Sequence, residues 1–305
     1  MAARISRAAA LFLAGALLCT GARITHADDA DANAAASLRA RYDGLQNRLA
    51  HNRFKKPLYL DSGETSDRVS GDIYARIDYP FAKVRAALGR PGGWCDILIL
   101  HFNTKYCRAA PGSQGAVLNV SMGRKYDEPL DKAYRLDFAY RVAAQTANYL
   151  QLRLSADAGP LGTHDYRIAL EAIPLEYGRT VMRFSYSFSY GLAGRLALQA
   201  YLATIGRDKV GFALAGTGAD GKPAYIGGLR GLVERNTMRY YLAVEAYLDA
   251  ESAPPQERLE LRLREWFAAS ERYPRQLHEM AQGEYLDMKR KEYLRQQSGL
   301  RPPRS

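Results

Sequence analysis

The side chains that could carry hydrolytic chemistry do not meet in a recognisable motif. A serine nucleophile of a hydrolase sits on a sharp turn of the form G-x-S-x-G, whereas the serines of the segment Arg179–Tyr190 alternate with apolar residues along one strand pattern. Glu128 and Asp131 lie on either side of Pro129, which indicates a turn rather than a pair of catalytic carboxylates. The sequence therefore predicts no catalytic residue. The triad candidates that we set aside are His101, His164, Asp165, Ser185, Ser187 and Ser189.

Two cysteines, Cys95 and Cys107, remain if the N-terminal segment described below is removed. An even pair in an exported protein predicts a disulfide. The bond is feasible if Trp94–His101 is helical, because a straight strand would hold the two ends ~40 Å apart at about 3.3 Å per residue. A free buried pair and a metal site are the alternatives. The five histidines lie at no ligand spacing to either cysteine, so we expect neither a metal nor another cofactor.

Tyrosine is the second chemical signal, with 21 Tyr against 9 Phe. A tyrosine buries its ring but keeps a hydroxyl that needs a partner or water. Strands rich in tyrosine therefore suit a half-wet cavity or an interface. The ordinary preference of aromatic residues for strands is the alternative explanation.

The elements that would position these residues begin at Val69–Tyr79, where apolar and polar residues alternate as in a half-buried antiparallel strand. A short helix follows, with Val84, Ala87 and Leu88 on one face, and a Pro-Gly-Gly sequence closes it. The apolar segment Trp94–Phe102 then leads into another strand.

Strand patterns recur at short spacing after this opening, which indicates an antiparallel meander. A helical pattern from Leu192 then ends near Gly206, and a small glycine-rich hairpin is expected in 208–228, around the turn at Asp220 and Gly221. The predicted strands are Asn103–Ala109, Ala116–Lys125, Ala133–Ala143, Tyr149–Ala156, Asp165–Ile173 and Arg179–Tyr190.

The strongest helical pattern is Leu229–Ala250, whose apolar stripe includes Tyr240. A helical extension is expected in 251–305, broken at Pro274 and ending in a basic tail from Lys289. Four residues are expected on or beside the polar side of the strongest helix: Arg230, Glu234, Arg235 and Arg239.

Residues 1–27 are typical of a secretory signal peptide. Two arginines precede the apolar run Ala8–Leu18, which is shorter than the roughly 20 residues that span a bilayer. Small residues predict cleavage after Ala27. Cys19 offers a lipoprotein alternative, but lipoprotein signals carry Gly, Ala or Ser where Leu18 stands. We expect a soluble protein exported to the bacterial periplasm. The next segment, 28–68, is predicted to be a polar leader and a short helix, irregular over 53–68.

The net charge is +11, and removal of the three arginines of residues 1–27 leaves +8. A basic protein suits anionic lipid head groups or nucleic acid. No RNA-binding, zinc-finger or helix-turn-helix pattern is present, so no nucleic-acid partner is expected. The basic tail, 289–305, is expected to make weak contact with anionic membrane surfaces.

The order of strand, two short helices, antiparallel strands and long helix resembles the START-like superfamily, the helix-grip or SRPBCC group of polyketide cyclases and lipid-transport proteins. The resemblance covers roughly 69–250 and rests on this order and on the segment from Pro80 to Trp94. It implies an α+β fold in which a curved antiparallel sheet wraps a long C-terminal helix around an apolar cavity. The hairpin in 208–228 and the extension 251–305 depart from the family pattern.

Members of that superfamily bind sterols, phospholipids or polyketides, and a minority catalyse cyclisation or hydrolysis. The resemblance therefore implies a periplasmic binding or carrier protein for a hydrophobic or lipid-like molecule. A START-like enzyme that uses a Tyr or His in the cavity is the alternative, as is an interaction protein whose C-terminal helices dock a partner without a ligand. The ligand-lining residues that the resemblance implies are Tyr140, Phe184, Tyr186, Phe188, Tyr190 and Tyr240.

Overall fold

The computed structural model describes residues 22–113, 115–204, 206–218 and 221–298. Most of the predicted signal peptide, the whole of the tail beyond Ser298 and the Asp220 half of the predicted hairpin turn lie outside these residues. Within them, no helix is both long enough and apolar enough to cross a bilayer.

One curved antiparallel sheet of eight strands organises the chain, in the order β1-β2-β8-β7-β6-β5-β4-β3. The short spacing between predicted strands is the reason, since consecutive strands pair with their neighbours and β2 closes the sheet against β8. The strands are β1 (Leu58–Glu64), β2 (Arg68–Ile77), β3 (Thr104–Gly112), β4 (Gly115–Met122), β5 (Tyr134–Gln145), β6 (Leu150–Ala158), β7 (Thr163–Leu175) and β8 (Arg179–Tyr190).

Helices cover both faces of this sheet. The predicted small hairpin is present as β9 (Leu214–Thr217) and β10 (Pro223–Tyr225). The helices are α1 (Ala22–Gly44), α2 (Gln46–Ala50), α3 (Phe81–Leu88), α4 (Pro91–Leu98), α5 (Leu192–Ala203), α6 (Gly228–Ala250), α7 (Arg258–Glu271), α8 (Pro274–Leu277) and α9 (Gln282–Gln297).

Helix α6 packs on the inner face of the sheet, as the strongest helical pattern predicts. At the point of closest approach, a Cβ on Gly71 of β2 would lie 2.4 Å from Oγ1 of Thr237 on α6. Only glycine fits there, so this residue brings the helix against β2. Val233 and Val244 of α6 are fully buried in the same core.

The opening segment folds into the compact unit that the sequence predicts. Nε1 of Trp94 donates a hydrogen bond to the carbonyl of Leu88 over 3.0 Å, and the Tyr140 hydroxyl donates to the same carbonyl over 3.2 Å. The helix α4 brings Cys95 back towards β3, where it is joined to Cys107 by a disulfide with the two Cα atoms 5.1 Å apart.

Two expectations for the N-terminal region are wrong. The polar leader, 28–36, is helical, because it continues the predicted short helix upstream as one helix, α1, whose Leu38 and Tyr42 bury against the outer face of the sheet, beside Tyr149 and Val181. The segment expected to be irregular contains β1, whose whole length pairs with β2. The sheet therefore begins before Val69.

The expectation of a polar side on α6 is also wrong at three positions. Glu234, Arg235 and Arg239 are only 0–2 % exposed. The reason is that the C-terminal extension covers the outer face of α6, with Nε1 of Trp266 on α7 donating to the Arg239 carbonyl over 2.9 Å. The residues between α5 and α6 cover Glu234, whose carboxylate accepts the backbone N–H of Phe212 over 2.5 Å.

The basic tail packs on the fold as far as it is described. Lys289 is fully buried and lies 2.7 Å from the carboxylate of Glu292. Arg290 pairs with Glu260 and Arg295 with Asp127. These cations form ion pairs within the fold. Membrane contact by 289–305 stays a prediction, and it would depend mainly on the arginines beyond Ser298.

Candidate functional site

An aromatic wall lines the inner face of the sheet opposite α6. The alternation of β8 points Phe184, Tyr186 and Phe188 inward, and each is less than 5 % exposed. The ring of Tyr240 on α6 lies with its centroid 5.4 Å from Tyr186 and 6.4 Å from Phe184. Tyr166 on β7 stacks on Phe188 at 5.5 Å. Four of the six predicted ligand-lining residues thus lie together.

The other two predicted residues lie at the ends of this wall. Tyr190 donates from its hydroxyl to the carbonyl of Thr65 over 3.3 Å, and the Tyr140 hydroxyl is held by Leu88, as described above. Tyr140 also borders an open groove of about 690 Å³ beside Pro91 and Ala116.

Two tyrosine hydroxyls lie in the middle of the wall. The hydroxyl of Tyr186 lies within hydrogen-bonding reach of the Asn236 side chain on α6, and that of Tyr240 forms no hydrogen bond with another described residue. The hydroxyl of Tyr166 lies 2.8 Å from Oγ1 of Thr163. Burial raises the pKa of both Tyr186 and Tyr240 above the usual range, so both hydroxyls stay protonated and available as donors.

His101, in the turn after α4, is buried against this wall. Its ring stacks on Tyr240 with centroids 4.9 Å apart, and its Nδ1 accepts the backbone N–H of Asn103 over 3.2 Å. Burial, together with the nearby cations Arg239 and Lys289, lowers the pKa of His101 well below its usual value. The imidazole is therefore neutral with its proton on Nε2, and Nε2 has no hydrogen-bond partner among the described residues.

Asn236 marks a space between α6 and the sheet. It lies close enough to His101 and Tyr186 to perturb the pKa of both. These two neighbours are buried, yet Asn236 is itself only half-buried, as is Leu232 one turn earlier on α6. Accessible space therefore reaches the helix face that carries the polar end of the aromatic wall.

A cluster of cations adjoins this space. Glu279, after α8, accepts Nη2 of Arg239 over 2.6 Å, Nζ of Lys125 over 2.5 Å and Nζ of Lys209 over 2.8 Å. Burial alone would raise the pKa of Glu279, but Arg239 and Lys125 hold it at about 2. Burial lowers the pKa of Lys125 to about 8. One carboxylate thus forms ion pairs with three cations.

Arg235, one turn before Arg239, forms no ion pair with an acidic side chain among the described residues. It is 2 % exposed, forms no hydrogen bond or ion pair with any described residue, and its Nη1 is buried without a partner. Tyr201 of α5 lies close enough to perturb the pKa of both arginines. Sequence analysis missed Arg235, Arg239 and Asn236, because their burial depends on the elements that cover α6.

Helix α5 covers one end of the wall. Leu198 and Leu202 pack half-buried on the core, while Leu192 and Leu196 are exposed. The helix reaches the sheet at Gly194, where a Cβ would lie 2.7 Å from the carbonyl of Gly162.

The candidate triad residues do not come together as a triad. Phe184, Tyr186 and Phe188 face inward, so the intervening serines lie on the outer face of β8. There Nη2 of Arg68 donates to Ser187 over 2.7 Å, and Arg68 pairs with Asp165. His101 lies on the inner side. Within the described residues, no group of three or more His, Cys, Asp or Glu side chains could hold a metal ion.

No protein-family model matches the sequence, and no curated protein matches it. Solved structures that resemble the fold include truncated norcoclaurine synthase from Thalictrum flavum, 11 % identical with a TM-score of 0.33, over 45 % of this chain and 86 % of that chain. The Zhui aromatase/cyclase from Streptomyces sp. R1128 is 17 % identical with a TM-score of 0.30, over 43 % and 73 %. The human StarD13 lipid transfer and protein localization domain is 7 % identical with a TM-score of 0.31, over 47 % and 76 %.

The predicted fold class is confirmed by the element order and by the packing of the eight-stranded sheet on α6. The chain has the predicted α+β fold, in which a curved antiparallel sheet packs on a long helix, with an inserted hairpin and a C-terminal helical extension.

Proposed function

We propose that the protein is a periplasmic binding or carrier protein for a hydrophobic, lipid-like molecule held between the sheet and α6. The observation that carries the proposal is a set of unpartnered polar groups inside an otherwise apolar interface. Nε2 of His101 is buried without a partner among the described residues, and the hydroxyl of the stacked Tyr240 forms no hydrogen bond with a described residue. The half-buried Asn236 lies beside them. Buried polar groups in a packed core are normally hydrogen-bonded, so we expect a bound molecule to supply partners for this set.

The composition of the walls supports the same proposal. Ligand sites combine apolar and aromatic walls with a few placed polar groups. Here Phe184 and Phe188 supply apolar surface, while Tyr186 and Tyr240 add hydroxyl donors. A molecule with a long apolar part and a small polar part would match this distribution.

Helix α5 is the element best suited to admit a ligand. Its apolar contacts with the core include the half-buried Leu198 and Leu202, and Gly194 is its one fully buried residue among those described, so its displacement would expose little apolar surface. We expect ligand entry at this helix, since local opening takes place where few buried contacts must break.

Export to the periplasm is part of the proposal and rests on the signal-like pattern of residues 1–27 and on the disulfide between Cys95 and Cys107. N-terminal sequencing of the protein from a periplasmic fraction should begin at Asp28. A retained Met1, or a lipid attached to Cys19, would contradict cleavage after Ala27.

An enzyme of the cyclase or hydrolase type is the second candidate. The observation that favours it is the neutral imidazole of His101, stacked on Tyr240 with its Nε2 proton free of a protein partner among the described residues. Such a group could donate a hydrogen bond to a bound molecule and stabilise negative charge that develops there during a reaction. Conversion of a co-purified molecule by wild-type protein, abolished in His101→Gln, would favour the enzyme over the carrier.

Native mass spectrometry of protein purified from the periplasm tests the proposed function. The expected result is a bound mass that disappears when the same sample is denatured, with a matching lipid in the organic extract. An apo mass under native conditions, together with an extract that contains no lipid, would contradict a hydrophobic carrier.

A further inference from the structure

Arg235 is a buried guanidinium without a counter-ion in direct contact among the described residues. The acid beside it in sequence, Glu234, is fully buried and already accepts three donors, from the Ser62 hydroxyl over 2.6 Å and from the backbone N–H groups of Phe212 over 2.5 Å and Ala213 over 2.9 Å. No ion pair joins Glu234 to Arg235. Nη1 of Arg235 is buried without a hydrogen-bond partner among the described residues, which is unfavourable for a charged group in a protein interior.

The surroundings of Arg235 contain more cations than acids. Arg239 follows one turn later, and Lys125 and Lys209 share the carboxylate of Glu279 with it. Arg239 also leaves its Nε without a partner in the part of the chain that the structure describes. Burial and the charge of Arg239 lower the pKa of Arg235 to about 10, so the guanidinium still carries its charge at neutral pH.

The position of Arg235 on α6 connects this excess charge with the aromatic wall. Neighbouring residues on a helix differ by about 100° in direction, so the stripe of Arg235 and Arg239 runs directly beside the stripe of Asn236 and Tyr240. A molecule whose apolar chain lies on the wall at Tyr240 would have its head group next to these guanidinium groups.

We propose that Arg235 and Arg239 bind the oxyanion head group of an amphipathic ligand, a carboxylate or a phosphate monoester on an apolar chain. The proposal deepens the carrier function and rests on it. A guanidinium matches both head groups with paired N–H donors, and the bound oxyanion would supply the counter-charge that the described residues do not.

The test compares ligands that share a chain and differ in the head group. Laurate, dodecyl phosphate and dodecanol would be titrated into delipidated mature protein at pH 7.5, with acetate and inorganic phosphate as anions without a chain. The substitution is Arg235→Met, which keeps bulk and removes charge. Arg230→Met is the matched control on the same helix, since Arg230 is half-buried and donates to the Ser62 hydroxyl instead.

Wild-type protein should bind laurate or dodecyl phosphate about tenfold more tightly than dodecanol, the ratio expected for a hydrogen bond to a charged group. Arg235→Met should lose this preference while its dodecanol affinity stays the same, and Arg230→Met should keep it. The melting temperature of ligand-free Arg235→Met should not fall, because the variant removes an uncompensated buried charge.

Equal affinity for all three dodecyl compounds in wild type would overturn the inference and leave the carrier function standing. A preference retained in Arg235→Met would overturn it as well. If acetate or phosphate bound as tightly as laurate, the inference of an amphipathic ligand would be wrong and the ligand would be a soluble anion. Failure of every probe, dodecanol included, would contradict the proposed function itself and the inference with it.

Discussion

Arg239 and Glu279 form a buried ion pair in which Nη2 lies 2.6 Å from Oε1, and this pair joins the long helix α6 to the C-terminal extension. Lys125, which follows β4, contacts the same carboxylate. The extension is therefore fastened to the helix that carries the candidate site, and its carboxylate partly balances the cations beside that site.

Glu279→Gln should destabilise the protein by about 3 kcal/mol, because removal of one partner leaves buried charges unpaired. The pH dependence has a defined sign. The pKa of Glu279 is held at about 2 in the folded state, against 4.5 for an ordinary glutamate, so its contribution is present above pH 4.5 and is lost as the pH falls towards 2. Urea denaturation of wild type and variant at pH 7 and pH 3 measures both effects. The control is Glu271→Gln, which removes a more exposed pair with His278; an equal loss in both variants would refute the role of Glu279.

Lys289 should make stability rise with pH on the alkaline side of neutrality. Burial lowers the pKa of Lys289 to about 8, against 10.5 for an ordinary lysine, so between pH 8 and 10 the unfolded chain binds more protons than the folded one. The free energy of unfolding should then increase by up to about 1.4 kcal/mol per pH unit for this proton.

Denaturation across pH 8–10 should show a smaller rise in Lys289→Met than in wild type, since only groups such as Lys125 would still contribute. The exposed Lys291 offers the matched control, because Lys291→Met should keep the wild-type slope. The same slope in all three proteins would mean that Lys289 is not desolvated in the folded state.

A pair of Tyr→Phe substitutions distinguishes a ligand hydroxyl from a structural one. The Tyr285 hydroxyl donates to the Leu100 carbonyl over 2.9 Å in the core, so Tyr285→Phe should cost about 1 kcal/mol. The Tyr240 hydroxyl has no such partner among the described residues, so Tyr240→Phe should leave the stability of the ligand-free protein almost unchanged. Equal losses on thermal denaturation would indicate that Tyr240 is an ordinary core residue.

The strand and helix patterns predict most of the sheet and α6, because each depends on local alternation that the fold preserves. The aromatic wall follows from the alternation of Phe184, Tyr186 and Phe188 along β8. The arginines could not be predicted in this way. Arg235 and Arg239 have the spacing of a solvated helix face, and they are buried only because distant elements, including α7 and the segment at Glu279, cover that face.

The N-terminal errors have a similar cause. The leader, 28–36, contains no large apolar residue, so the local pattern does not predict a helix there, yet it continues the short helix whose Leu38 and Tyr42 bury against the outer face of the sheet. Strand β1 likewise depends on pairing with β2 along Leu58–Glu64. Both elements are fixed by contacts that a local pattern does not contain.

The disulfide between Cys95 and Cys107 should stabilise the protein by ~3 kcal/mol, since it closes a short loop in the unfolded chain. Thiol labelling of the denatured, unreduced mature protein should find no free thiol, and the melting temperature should fall on reduction. Two labelled thiols per chain would show that the bond does not form in the exported protein.

The most direct test of the carrier function is the amount of lipid bound by Tyr186→Trp. The substitution adds bulk at the centre of the wall, whereas Tyr177→Trp, at a residue 87 % exposed, is the matched control. Native mass spectrometry of the variants, combined with their melting temperatures, should show reduced lipid occupancy in Tyr186→Trp alone, at a nearly unchanged melting temperature. In a fully packed core the same change would cost roughly 1–3 kcal/mol of stability. A large fall in the melting temperature with unchanged lipid occupancy would contradict the presence of a ligand cavity between the sheet and α6.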